Sequence, residues 1–240
     1  MTTSPTSVLS PTAARCLDAY GGAALWRRST AVEATVSTGG LLFLSKGRRG
    51  LRSVLVRAEL DAPRVTIHPI DRHGNTGVFD GSGVRIEDGD GRVVVARANP
   101  RPLFPGGRRR LWWDALDVVY FAGYALWNYL AFPALLLRDD IAWREICPGT
   151  LEAVFPPGLP THCARQRYHV DMRTGLLRQH DYTAEVIGNW AKGAHVVLAH
   201  GVSDGIPFPA RRRVTPRRGD GAPRAWPTLV WIEFEEWRLC

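Results

Sequence analysis

The sequence predicts a mainly β protein: a curved antiparallel sheet, in effect a half-barrel, wrapped around one long apolar helix, with a short helix before it. Three observations carry this expectation. Segments with apolar residues at every second position recur along most of the chain, which is the pattern of half-buried strands. The breaks between them are short and rich in Gly, Pro, Asn and Asp. Such breaks cannot hold the crossover that a parallel pair needs, so the pairing is antiparallel. One segment, about residues 111–137, replaces the alternation with an almost continuous apolar run.

Residues 1–11 are Ser, Thr and Pro with little apolar content, and are expected to be disordered. Residues 12–240 then form a single domain, long enough to bury a continuous core. Thr12 is the expected N-cap of a short helix running to Tyr20, Gly21-Gly22 ends it, and Ala23 to Arg28 gives another turn. From Thr30 the period becomes two: Val32, Ala34 and Val36 alternate with Glu33, Thr35 and Ser37. Gly39-Gly40 reads as a hairpin turn with a strand returning over Leu41–Ser45. Strands follow at Ser53–Leu60, Arg64–Ile70, Thr76–Asp80, Gly83–Glu87 and Arg92–Ala98. The Asp88-Gly89-Asp90-Gly91 break lacks the further ligands and closing Glu of a calcium loop, and reads as a hairpin.

After a Pro/Gly loop comes the apolar run, with Asn128 its one strongly polar residue between Val118 and Leu137. A helix apolar on all sides is either membrane-spanning or wholly buried. Gly123 and Pro133 interrupt the run, Trp and Tyr lie in its middle rather than at its ends, and strand patterns flank it on both sides. The expectation is a buried helix and no membrane insertion. Strands resume at Ala142–Cys147, Leu151–Phe155, Cys163–Asp171, Leu176–Glu185, Ala194–Val202, Pro209–Thr215 and Thr228–Leu239.

Composition narrows the function classes. The formal charge is +8, yet of 31 basic residues only Lys46 and Lys192 are lysine. That bias reads as the coding composition of a GC-rich genome. The clusters Arg108–Arg110, Arg211–Arg213 and Arg217-Arg218 lie beside Pro or Gly turns and read as solvated loops, so no nucleic-acid partner is expected. Four cysteines without CxxC spacing form neither a zinc site nor a disulfide framework. The N-terminus has no basic and apolar export segments, and a cytoplasmic location is expected. No phosphate-binding glycine loop, nucleophile elbow or HExxH stands in the chain. No metal or other cofactor is expected.

Asp171-Met172-Arg173-Thr174-Gly175-Leu176-Leu177 leads through HDYTAEV (His180 to Val186) to Ser203-Asp204-Gly205-Ile206-Pro207-Phe208-Pro209. This order of strand, D-x-x-T-G-L turn, strand and D-G-I-x-F-P resembles the LolA-like, lipoprotein-carrier-like superfamily. With the RRLWWD and HDYTAEV phrases, the chain looks most like cytoplasmic actinobacterial relatives of that group. The resemblance implies a half-barrel that holds acyl chains against an internal helix, and no catalytic motif.

Two constellations are candidate sites. Trp113, Leu116, Tyr120, Tyr124 and Trp127 share one helical face. They form either a packed core stripe or the wall of an apolar pocket, and the Tyr hydroxyls favour the pocket because each needs a partner in a dry core. His180 and Tyr182 share one strand face by period two, opposite Asp181 and Glu185, and His195 stands on the next strand. A His near a Tyr and a carboxylate is material for general acid–base catalysis. The readings are therefore a binding protein for an apolar or amphipathic small molecule, a cofactor-free enzyme such as a cyclase or isomerase with His180, Tyr182 and His195 as its catalytic groups, or a scaffold with a filled core.

Overall fold

The computed structural model describes residues 9–240. The first meander comprises β1 (Ala31–Gly39), β2 (Leu51–Glu59), β3 (Val65–His68), β4 (Thr76–Phe79), β5 (Gly83–Glu87) and β6 (Val93–Ala98). The second comprises β7 (Ala142–Cys147), β8 (Thr150–Val154), β9 (Arg165–Val170), β10 (Leu177–Thr183), β11 (Lys192–Ser203), β12 (Ile206–Pro216) and β13 (Val230–Leu239). Each strand pairs antiparallel with its chain neighbour inside its meander, and β1 pairs with β13, with Val36 opposite Phe234. The result is one 13-stranded open sheet whose edges are β6 and β7.

Those two edges are consecutive in the chain, and α4 (Ala115–Leu130) lies between them. Every residue of α4 from Leu116 to Leu130 is buried. A helix with no solvent face has to be enclosed, which requires the sheet to curve around it. At 16 residues it falls short of the roughly 20 needed to span a bilayer, and no helix among the described residues is long and apolar enough to cross a membrane.

Local chemistry fixes both ends of α4. Asp114 is the N-cap and accepts from the Asp117 N–H at 2.8 Å, while the Asp117 carboxylate accepts from the Asp114 N–H at 3.1 Å. This reciprocal pair is a capping box. Asp117 also meets Arg97, Arg108 and Arg109 at 2.7–2.8 Å, so a buried carboxylate is compensated by three guanidinium groups. The helix stops at Leu130; Pro133 follows, and a 3-10 turn covers Ala134–Leu137. In mid-helix, Gly123 lets α4 approach the sheet closely, because a Cβ there would stand 2.5 Å from the Cβ of Phe79.

Several sequence expectations need correction. The helix is shorter than 111–137, because the Arg108–Trp112 segment is held in a 3-10 turn and loop before the Asp114 cap. Leu41–Leu44 is a short helix, α3, rather than a returning strand: Gly40 turns the chain at φ 122° and β2 begins only at Leu51. The first helix, α1, runs Pro11–Ala19 with Ser10 as N-cap, its hydroxyl accepting from Ala13 N–H. Thr12 instead lies inside it and donates to Glu145 at 2.7 Å. The expected disorder of residues 1–8 lies outside the described residues, while Leu9–Pro11 are ordered as the entry to α1. The second helix, α2, spans Ala23–Arg28. Arg211–Arg213 lie within β12 rather than in a loop, and Arg212 points inward and is buried.

Candidate functional site

Cross-strand registry builds the site. Tyr168 on β9, His180 on β10 and His195 on β11 are direct neighbours in adjacent pairs, so their side chains stand in a row on one sheet face. That face is the inner one: all three are buried, as is Tyr182 two residues beyond His180. The opposite phase of β10 points outward, where Asp181 meets His169 at 3.0 Å, Arg217 at 3.2 Å and Gln179 at 2.7 Å. Glu185 pairs with Arg101 at 2.6 Å and is half-exposed. Thus His180 and Tyr182 point into the core, and Asp181 and Glu185 do not join them.

The centre of the row is Tyr129, near the end of α4. Its hydroxyl is 2.7 Å from Nε2 of His162 and 2.9 Å from the hydroxyl of Tyr182. Its ring meets His195 edge-on at 4.4 Å between centroids. His162 stacks on Tyr182 at 3.7 Å, and Nε2 of His180 is bonded to Oε1 of Gln166 at 2.6 Å. His180 and His195 are 6.3 Å apart between ring centroids, and no direct hydrogen bond joins His180, Tyr182 and His195 to one another.

The helix stripe divides. Tyr124 faces His162 at 5.1 Å between centroids and touches Tyr120, which packs on Phe79 and Phe104. Trp127 turns toward the first meander and donates to the Glu59 carbonyl at 2.9 Å. Trp113 lies one residue before the cap, among Phe43, Phe104 and Phe121; Leu116 is buried on the first turn. Tyr120 and Tyr124 therefore approach the histidine row, and Trp113 and Trp127 sit away from it.

The row is under-satisfied. The hydroxyls of Tyr120 and Tyr124, Nδ2 of Asn128, Nδ1 of His162 and both ring nitrogens of His195 are buried without a hydrogen-bond partner among the described residues. Each such group costs about 1–3 kcal/mol relative to a satisfied one, and native interiors hold few of them. Burial, and secondarily the charge of Arg101, lowers the pKa of His162 to about 3. Burial also holds His180 and His195 well below the ordinary histidine value, and raises the Tyr124, Tyr129 and Tyr168 phenols.

Beside this row lies Arg212, only 4% exposed and without a carboxylate partner. Its contacts are backbone carbonyls of Pro209 at 3.3 Å and Tyr129 at 3.5 Å, and the ring faces of Tyr129 and Phe234 at 5.4 and 5.2 Å. Burial lowers its pKa from 12.5 to about 10. A gap of about 10 Å³ adjoins it between Tyr20, Phe132, Phe208 and Trp237, room for about one water molecule. The larger concavity, about 780 Å³, is on the outer face, lined by charged groups of β9–β11 and residues 217–221. The site is thus closed, and the helix backbone lies close to β2–β5 while long side chains fill its seam with β9–β12.

Sequence reasoning missed Tyr129, His162 and Arg212. His162 lies in the loop before β9 and carries no periodic signal. Tyr129 belongs to a helix apolar all round, which offers no preferred face. Arg212 was legible: it shares the period-two phase of Phe208 and Val214, an arginine in a run of inward positions.

No family model matches the sequence, and no curated protein matches it. Among solved structures the chain is similar to a DUF1329 family protein from Desulfovibrio piger, at 15% identity over 99% of this chain and 94% of that one, with a TM-score of 0.50. It is also similar to a LolA superfamily protein from Nitrosomonas europaea (9% identity, 98% and 94% covered, TM-score 0.49). A third is an outer membrane lipoprotein-sorting protein domain from Vibrio parahaemolyticus (8% identity, 95% and 90% covered, TM-score 0.48). The likeness is one of fold. The phrase that carries the sequence resemblance is itself structural: Asp171 Oδ1 accepts from the Arg173 and Thr174 N–H groups at 2.8 and 3.0 Å. Gly175, at φ 77°, turns the chain where a Cβ would meet α1 at 2.6 Å.

Proposed function

We propose that the protein binds an amphipathic small molecule in the seam between α4 and strands β9–β12, with the anionic head of the ligand at Arg212 and its apolar body along the helix. The observation that carries this is a buried guanidinium with no counter-charge, set beside a row of unpartnered polar groups. A buried cation is tolerable when an anion accompanies it, and Arg is suited to a carboxylate or phosphate because its fork donates in two parallel bonds. Binding moves α4 away from the second meander, since a 10 Å³ gap holds no such ligand. The acid–base alternative rests on the Tyr129–His162 and Tyr129–Tyr182 bonds. Against it stands His162, whose pKa of about 3 makes it a poor base near neutral pH.

The test is titration with a fluorescent fatty acid and with the matching long-chain alcohol, read by probe emission and native mass spectrometry. Saturable one-to-one binding of the acid, weaker binding of the alcohol, and loss in an Arg212→Gln variant are expected. Absence of binding by any amphipathic probe would overturn the proposal.

A further inference from the structure

Two segments far apart in sequence come together at the N-terminal end of α4. Lys46 donates to the Arg110 carbonyl at 2.5 Å, the Trp113 N–H donates to the Lys46 carbonyl at 3.1 Å, and Arg48 donates to the Trp113 carbonyl at 2.6 Å. Residues 41–52 and 101–113, which this lacing unites, hold eight basic residues, four in each, and no acidic one. The acids nearest in sequence, Asp114 and Asp117, are engaged by Arg97, Arg108 and Arg109. Arg49 and Arg110 stand exposed with no carboxylate partner.

Large apolar side chains stand out from the same surface. Leu111 is 78% exposed, Leu44 61% and Trp112 48%. The guanidinium groups of Arg48 and Arg108 lie over the Trp112 ring, 5.4 and 5.0 Å from its centre. These apolar groups face water, while Phe43 and Trp113 beside them fill the core. Exposed Leu and Trp beside arginines that have no carboxylate partner, Arg49 and Arg110, match an interfacial membrane anchor: apolar groups enter the headgroup–acyl boundary, Trp sits at that level, and arginines meet anionic lipid.

We infer that this two-loop surface docks the protein onto anionic phospholipid membranes. The chain lies on the bilayer without crossing it. Docking there presents the N-terminal end of α4 to the lipid, and the inference stands whether or not the interior seam binds a ligand.

Flotation with vesicles of phosphatidylcholine alone and of phosphatidylcholine with phosphatidylglycerol tests it on the full chain. The wild type is expected to float with the mixed vesicles only, and to detach as salt is raised. Each basic residue near an anionic surface strengthens binding about fivefold, so Arg49→Glu with Arg110→Glu weakens it by about 25-fold or more. Leu44→Ser with Leu111→Ser weakens binding while leaving its salt dependence. All four positions are exposed, and an unchanged melting temperature in each variant confirms intact folding. Vesicle binding that is absent, equal on neutral lipid, or unmoved by these variants overturns the inference, as does retention on DNA without retention on vesicles.

Discussion

Arg212→Met separates a guanidinium kept for binding from one kept for stability. The folded chain holds this group at a pKa of about 10 against 12.5 in the open, a difference of about 3 kcal/mol at 1.36 kcal/mol per pH unit. Offsetting this are the ring faces of Tyr129 and Phe234, together about 2 kcal/mol when desolvated, and two long bonds to carbonyls. Methionine replaces the stem with apolar volume and removes the charge; exchanging buried ionic groups for apolar ones is often neutral or stabilising. The expected outcome for the empty protein is a gain of about 1 kcal/mol, or roughly 2–4 °C in Tm for a chain of this size. Affinity for an anionic amphiphile should fall by about 2 kcal/mol or more, some thirtyfold. Urea unfolding and probe titration on the same variant give both numbers. A variant that unfolds more easily by over about 1 kcal/mol, and binds the probe as before, refutes the reasoning and makes Arg212 a structural residue.

The buried histidines make stability depend on acidity. His162, His180 and His195 are held neutral in the fold, their pKa values lowered chiefly by burial, while the unfolded chain protonates them near pH 6.5. The unfolded state therefore binds more protons below that value, and stability falls as pH falls. For three such groups the loss is about 3 kcal/mol between pH 6.5 and 5.5, measurable by urea unfolding at each pH; an unchanged midpoint across that range contradicts it. Gly123→Ala gains about 1 kcal/mol of helix propensity, but forces a Cβ to 2.5 Å from the Cβ of Phe79. Overpacking of this kind costs about 1–3 kcal/mol, so a net drop in Tm is expected, and a rise shows that α4 and β4 can part to admit the methyl group.

Strand periodicity made most of the architecture legible. The phases of β1 and β13 and the bounds of β5 and β7 stand in the sequence, and so does the apolar helix. Leu41–Leu44 escaped because four residues are too few to show a period, and only the Gly40 backbone separates a helical turn from a returning strand. Half of the site was legible for the same reason: period two put His180 and Tyr182 together and left the choice of face open. That choice was decided by partners contributed from afar, with Arg217 and His169 holding Asp181 outward and Tyr129 receiving Tyr182 inward. Contacts between residues 53 or more apart in the chain, as between Tyr129 and Tyr182, leave no local signature.

The seam between β1 and β13 has a consequence for how the chain comes to be folded. Within each meander, strands meet their chain neighbours across short turns, whereas β1 waits for the last strand, and the Cys240 N–H closes on the Ala31 carbonyl at 2.8 Å. Local hairpins close quickly, and a contact spanning nearly the whole chain is slow because its loop entropy is lost before anything is gained. Before β13 emerges, the two meanders carry four open strand edges, β1, β6, β7 and β12, in place of the final two. Unpaired edges invite pairing with other chains, so the nascent protein is most exposed to misassembly until β13 has been made.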